Sequence, residues 1–252
     1  MARNFQIEER DGIAVATIIR PPANALDIEA TEELADIFAE LANRSDLRAV
    51  ILTGEGKAFC AGLDLKQVPS YDAADQDRLI DALNRAYFNV YRLPCPVIGA
   101  INGHAIAGGM VLALCTDYRI AVDGGYMVGV TEVRAGIPYP VSAIEVCRAE
   151  MRKPDFRRLV LFGRNTGPRE ALAMGLFDEL VDGTALMERA NAVATEMAGM
   201  PGDGYAKIKK QSRQAALQRM EQAVRERKDP LFGDWLSAET VAAATSVLRG
   251  DT

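Results

Sequence analysis

The chain has 252 residues, 49% of them hydrophobic, 25% charged and 6% aromatic, a balance that excludes a disordered or fibrous protein. Its formal charge is −6, and its 29 Lys and Arg are scattered apart from short clusters near 207–213 and 225–228. That argues against nucleic acid as the main partner, because neutralising phosphates takes a basic face.

The first half alternates strand and helix signals. Ile13 to Ile19 is a short β-branched apolar run between Asp11-Gly12 and Pro21-Pro22, which predicts a buried strand. Asp27 is placed to cap a helix whose apolar positions Leu26, Ala30, Leu34, Ile37, Phe38 and Leu41 recur at helical spacing. Ala49 to Thr53 predicts a second strand, and Ala58 to Leu65 a loop. Asp75 to Arg92 carries a helical stripe through Leu79, Leu83, Ala86 and Val90 and stops at Pro94 and Pro96. Val97 to Ile101 reads as a third strand, Gly108 to Cys115 as a buried helix, and Tyr118 to Val122 as a fourth strand. Such alternation implies β-α-β crossovers and a parallel sheet.

After about Pro138 the strand signals fade. Val141 to Glu150, Asp155 to Leu161, Pro168 to Met174, Thr184 to Met200, Tyr205 to Arg227 and Ala238 to Arg249 all read as helices. The expected fold is α/β, a core of repeated β-β-α units over 1–200 followed by a helical region over 201–252.

Four cysteines (Cys60, Cys95, Cys115, Cys147) without a CxxC pair, and a single histidine, His104, give too few ligands for a zinc site and no disulfide framework. The N-terminal stretch lacks an apolar signal region, and the longest apolar run, Ala105 to Cys115, is too short to span a membrane. These features predict a reduced, cytoplasmic protein that uses neither metal nor membrane.

Three segments carry chemistry. Gly103 to Met110 has the glycine spacing of a phosphate loop but lacks its Lys and Ser/Thr, which disfavours a nucleotide triphosphatase. Gly108-Gly109 at a helix start would bare backbone N–H groups to a developing oxyanion, or would pack that helix tightly on the sheet. Cys60 to Asp64 is a small-residue turn after a strand. Alone it is only a turn, but with the first segment it offers two backbone donors for one oxygen. Glu132 lies between Val130 and Val133, ahead of Gly136-Ile137-Pro138. A carboxylate in apolar surroundings has a raised pKa and suits a general base; the commoner alternative is a solvated or ion-paired glutamate. His104 reads as structural, Cys60 as a small buried hydrophobe, and Glu145 as a second-choice acid.

Taken together these segments resemble the crotonase (enoyl-CoA hydratase/isomerase) superfamily. Gly56-Lys-Ala-Phe-Cys-Ala-Gly-Leu-Asp-Leu65 is similar to the family's first oxyanion loop, and Pro96 to Gly103 with Ala107-Gly-Gly109 and Leu112 to Ile120 to its second. Ala171 to Leu176 with Asp178 to Val181 resembles a later family segment. The resemblance implies the ClpP/crotonase fold, acyl-CoA thioester substrates with CoA carried as part of the substrate, no further cofactor, and trimers or dimers of trimers built through the C-terminal helices. It places the oxyanion donors on the N–H groups of Leu63 and Gly108, and substrate binding on Ala61, Gly62, Leu63, Asp64, Leu65, Lys66, Gly108 and Gly109. CoA phosphates would meet Lys57, Lys66 or the Lys207–Lys210 cluster.

The departures bear on the reaction. Hydratases of the family carry two glutamates. One position falls here on Val111 and the other on Glu132, and a glycine-rich run is replaced by Tyr139-Pro140-Val141-Ser142. Moving a double bond needs one carboxylate, whereas hydration is helped by two. The motifs Pro21 to Leu26, Ala61 to Leu65 and Ala107-Gly-Gly109 are similar to the Δ3,Δ2-enoyl-CoA isomerase branch. The expectation is an isomerase of fatty acid metabolism with Glu132 as proton shuttle. Its rivals are a hydratase (a lyase) using Glu132 with Glu145 or with water alone, and a non-catalytic acyl-CoA-binding or scaffold protein.

Overall fold

The computed structural model describes residues 4–233, together with 235–237, 240 and 242. The chain opens with a hairpin, β1 (Phe5–Arg10) and β2 (Ile13–Ile18), followed by α1 (Ile28–Leu41). Asp27 caps α1 by accepting from the Ala30 N–H at 2.9 Å, as the sequence predicts. Then come β3 (Ala49–Gly54), β4 (Ala58–Cys60), α2 (Ala73–Tyr91), β5 (Val97–Ile101), β6 (His104–Ile106) and α3 (Gly108–Leu114). After these come β7 (Tyr118–Val122), β8 (Val128–Gly129), a 3-10 turn over Glu132–Ala135 and α4 (Val141–Glu150). The remainder is α5 (Lys153–Phe156) running into a wider turn (Arg157–Leu161), α6 (Pro168–Ala173), β9 (Glu179–Val181), α7 (Leu186–Ala198), α8 (Gly202–Ser212) and α9 (Gln214–Glu226).

Two sheets result. One orders its strands β1-β2-β3-β5-β7-β9, and the other β4-β6-β8. Apart from the β1–β2 hairpin, every pairing is parallel. The chain therefore steps from the large sheet to the small one and then into a helix three times: β3-β4-α2, β5-β6-α3 and β7-β8-α4. This is the α/β crotonase fold of repeated β-β-α units with C-terminal helices. Strand period 2 sorts the core: Val50 and Leu52 face the main hydrophobic cluster, whereas Ala49 and Ile51, with Ile98, Ala100 and Ile120, pack against Leu186, Ala190, Val193 and Ala194 of α7.

Several elements differ from expectation. β1 is nearly all exposed outside Phe5, so it lacks an apolar run to announce it. β4, β6 and β8 have two or three residues each, too few to show alternation. β9 falls within the stretch where strand signals fade. The helix expected over 205–227 is two helices, which meet at Arg213. The helix expected over 238–249 lies, apart from residues 240 and 242, outside the described residues. Beyond residue 201 the chain folds back on the core: Ala216, Met220 and Trp235 belong to the same cluster as the β-strands. Among the described residues no helix is long and apolar enough to cross a membrane.

Candidate active site

A cavity of about 340 Å³ opens where the three β-β-α units converge, lined by residues as distant in sequence as Ala61 and Trp235. Its walls are mostly apolar, with Leu63, Leu65, Leu83, Ile106 and Ile137 among them.

One wall is the loop that leaves β4. It crosses Leu26, whose N–H donates to Gly62 O at 2.7 Å and whose carbonyl accepts from Asp64 N at 2.9 Å. This parallel bridge uses the residues on either side of Leu63, so among the described residues the Leu63 N–H has no hydrogen-bond partner. The facing wall is the step from β6 into α3. Ala107 holds φ 52° and ψ −129°, a conformation that costs a residue with a Cβ on the order of 1–3 kcal/mol. It turns the chain so that the Gly108 N–H, first in α3 and without an intrahelical acceptor, stands at the cavity. The two walls touch: a Cβ on Gly62 (φ +78°) would lie 3.0 Å from Gly108 N. Leu63 and Gly108, each with a main-chain N–H unpaired among the described residues, thus both line the cavity where its two walls meet.

Gly108 and Gly109 divide the two readings of the glycine pair. A Cβ at Gly109 would sit 1.9 Å from Cys60 O, so this glycine serves close packing of α3 on β4. Gly108 lines the cavity, and its carbonyl accepts from the Tyr87 hydroxyl at 3.2 Å.

Glu132 stands on the 3-10 turn after β8 and lines the same cavity. Burial pushes its carboxyl up to about 7, against a smaller opposing pull from hydrogen bonds. One of these comes from the Tyr139 hydroxyl, which donates to Oε2 at 3.0 Å. Glu132 is half-buried and makes no ion pair among the described residues, so the salt-bridged alternative does not describe it. An acid whose carboxyl is pushed up to about 7, on the same cavity as Leu63 and Gly108, can take and return a proton next to a carbonyl.

The structure brings Ala61, Leu63, Leu65, Gly108 and Glu132 together on this cavity, but Gly62, Asp64, Lys66 and Gly109 are not on its lining. Gly62 lets the walls approach. Asp64 shapes the loop, with Oδ1 accepting from Lys66 N at 3.0 Å and Oδ2 from Gln67 Nε2 at 3.1 Å. Lys57 and Lys66 are exposed. Lys209 is not available to a phosphate: it is buried and pairs with Asp117 at 2.6 Å. Glu145 is not placed as a second acid. It is 2% exposed, ion-paired to Arg148 at 2.7 Å and Arg219 at 2.6 Å, and absent from the cavity lining. Val111 is fully buried in α3. His104 is an exposed strand residue whose Nδ1 accepts from Met127 N at 3.3 Å. Burial pushes the Cys60 thiol up to about 12, so it is inert. Among the described residues no group of three or more His, Cys, Asp or Glu is gathered to hold a metal.

Sequence reasoning passed over Tyr87 and treated Tyr139 only as a departure. Tyr87 lies one turn beyond Leu83 on the apolar stripe of α2, which is the available signal. Tyr139 lies seven residues after Glu132, across a Gly-Ile-Pro turn that folds one back on the other, and no spacing rule foretells that return.

Residues 8–247 match the family model described as Enoyl-CoA hydratase/isomerase. The chain is 32% identical over 198 residues to a probable enoyl-CoA hydratase of Mycobacterium avium, covering 79% of this chain and 77% of that one. It is 31% identical over 206 residues to the mitochondrial enoyl-CoA delta isomerase 1 of Mus musculus, covering 81% and 71%. A crystal structure of an enoyl-CoA hydratase/isomerase from Pseudoalteromonas atlantica superposes with a TM-score of 0.83 at 24% identity over 98% of both chains. Hydratases and isomerases thus stand at nearly equal distance, and what they share fixes the assignment: the chain belongs to the enoyl-CoA hydratase/isomerase family of the crotonase superfamily, and is an enzyme of that family.

Proposed function

We propose that the protein is an enoyl-CoA isomerase that moves the double bond of a 3-enoyl-CoA to the 2-position. Glu132 removes a proton from C2, and the electron pair delocalises onto the thioester oxygen. The Leu63 and Gly108 N–H groups hold the resulting dienolate, each donor worth about 3 kcal/mol in the transition state. The proton returns from Glu132 to C4, and the double bond now lies between C2 and C3. The acyl chain occupies the apolar cavity, the loop over 61–66 meets the pantetheine, and the phosphates meet exposed Lys57 or Lys66. Trimeric or hexameric assembly in the cytoplasm, with the tail over 201–252 contributing, belongs to the same reading.

The observation that carries the reading is that Glu132 is the one carboxyl on the cavity lining among the described residues. The family's other acid position is apolar Val111, and Glu145 is committed to two arginines. The test is a panel of 2-enoyl- and 3-enoyl-CoA esters assayed for both double-bond shift and hydration. Isomerisation of a 3-enoyl-CoA is expected, with Glu132→Gln lowering it on the order of 100- to 10,000-fold. Undiminished turnover by Glu132→Gln rules out Glu132 as the base. Faster formation of 3-hydroxyacyl-CoA from crotonyl-CoA makes the protein a hydratase, and CoA binding without α-proton exchange makes it a binding protein.

A further inference from the structure

Tyr139 is held on both sides. The carbonyl of Pro138 accepts from Trp235 Nε1 at 2.9 Å, and the Val141 N–H donates to Asp229 Oδ2 at 2.8 Å. Asp229 is itself fixed by Asn84 Nδ2 at 2.8 Å. The Glu132 carbonyl accepts from Ile137 N at 3.0 Å, closing the intervening turn. Tyr139 therefore reaches Glu132 from an anchored backbone, and its hydroxyl meets Oε2 alone, at 3.0 Å.

We propose that Tyr139 is a positioning residue for Glu132: its hydroxyl pins Oε2, so that Oε1 is the oxygen presented to the substrate carbon, and it favours the charged carboxylate over the acid. The inference rests on Glu132 being the base and adds how that base is aimed and kept ionised. A hydrogen bond donated to the charged form lowers an acid's pKa, opposing the burial that raises it. The other titratable groups near the pair do not compete. Tyr87 from α2 and Cys147 from α4 are held well above their usual values by burial first and by the Glu132 charge next, so both stay neutral. Arg134 is also on the cavity lining, and its Nε donates to Gly163 O. Tyr139 is itself raised by burial and by Glu132, so it remains a donor.

The test is Tyr139→Phe, which keeps the ring and removes the donor. The acid limb of the isomerisation pH profile is expected to move up by about one pH unit. At pH 7 kcat then falls roughly fivefold with KM within about twofold, and kcat recovers toward wild type at about pH 9. A residue that merely supported the fold would depress the rate equally at every pH. In parallel, the carboxyl band that Glu132→Gln removes is titrated by difference infrared spectroscopy in the ligand-free protein. That band is expected to titrate higher in Tyr139→Phe, and this measurement needs no turnover. If either the limb or the band stays where it is, the inference is overturned even while Glu132→Gln is inactive and the reading of Glu132 as base stands. Full activity in Glu132→Gln overturns both.

Discussion

At the scale of single residues, the site works against stability. Folding raises the Glu132 carboxyl from 4.5 to about 7, so the folded chain binds that proton more tightly than the unfolded one. Between those two pH values the folded state holds more protons, and stability falls as pH rises. The cost is absent well below pH 4.5 and complete above about 7. Glu132→Gln is expected to be more stable than wild type by about 3 kcal/mol at pH 8, with the gap narrowing toward pH 5, as urea unfolding at the two pH values would read. With Glu132 as the proposed base, the catalytic rate is expected to follow the opposite trend, rising with pH through about 7 as the carboxylate forms. Loss of stability thus accompanies gain of the reactive form.

At the scale of elements, Asp117 decides where the last helices sit. It follows α3, and its carboxylate meets Lys209 at 2.6 Å and Arg213 at 2.9 Å, all three nearly buried. Arg213 also donates to Tyr91 O at 2.8 Å and lies 3.9 Å over the Tyr91 ring. These contacts draw Arg213 inward and mark the break between α8 and α9. Asp117→Ala would leave buried Lys209 without its carboxylate and Arg213 with only Glu150, at 3.7 Å, with an expected loss of about 3–5 kcal/mol measured by urea unfolding. The sequence shows none of this, because Tyr205 to Arg227 keeps helical spacing across Arg213 and an ion pair closing over nearly a hundred residues has no local sign. What was legible had local cause. The strands at Val97–Ile101 and Tyr118–Val122 and the helix at Val141–Glu150 fall where the apolar runs and prolines put them. β4, β6 and β8 escaped because pairing within the second sheet, rather than composition, makes them strands.

At the scale of the whole molecule, the large sheet separates two jobs. One face packs toward the cavity and the other against α7. Leu186 on α7 is buried at 4% exposure on the far face. Leu186→Ala is expected to lower stability by about 2–4 kcal/mol while leaving kcat and KM for the acyl-CoA within about twofold, read by thermal unfolding alongside steady-state assay. Equal loss of activity would mean that the two faces are coupled. The candidate acid and the two loops were readable as motifs, and the resemblance supplied their joint meaning. The closing of the cavity by Tyr139 and Trp235 was not readable, since those walls come from remote stretches that only the finished fold assembles.

In the proposed mechanism Leu63 and Gly108 act on the thioester oxygen through their peptide nitrogens, and this sets what mutagenesis can see. Truncating the leucine leaves its amide in place, so a side-chain scan would pass over both donors and register instead the neighbours that steer the chain, Gly62 and Ala107. The feature on which the proposed chemistry turns is written in the path of the polypeptide, and it would be reached by replacing an amide with an ester, not by exchanging one residue for another.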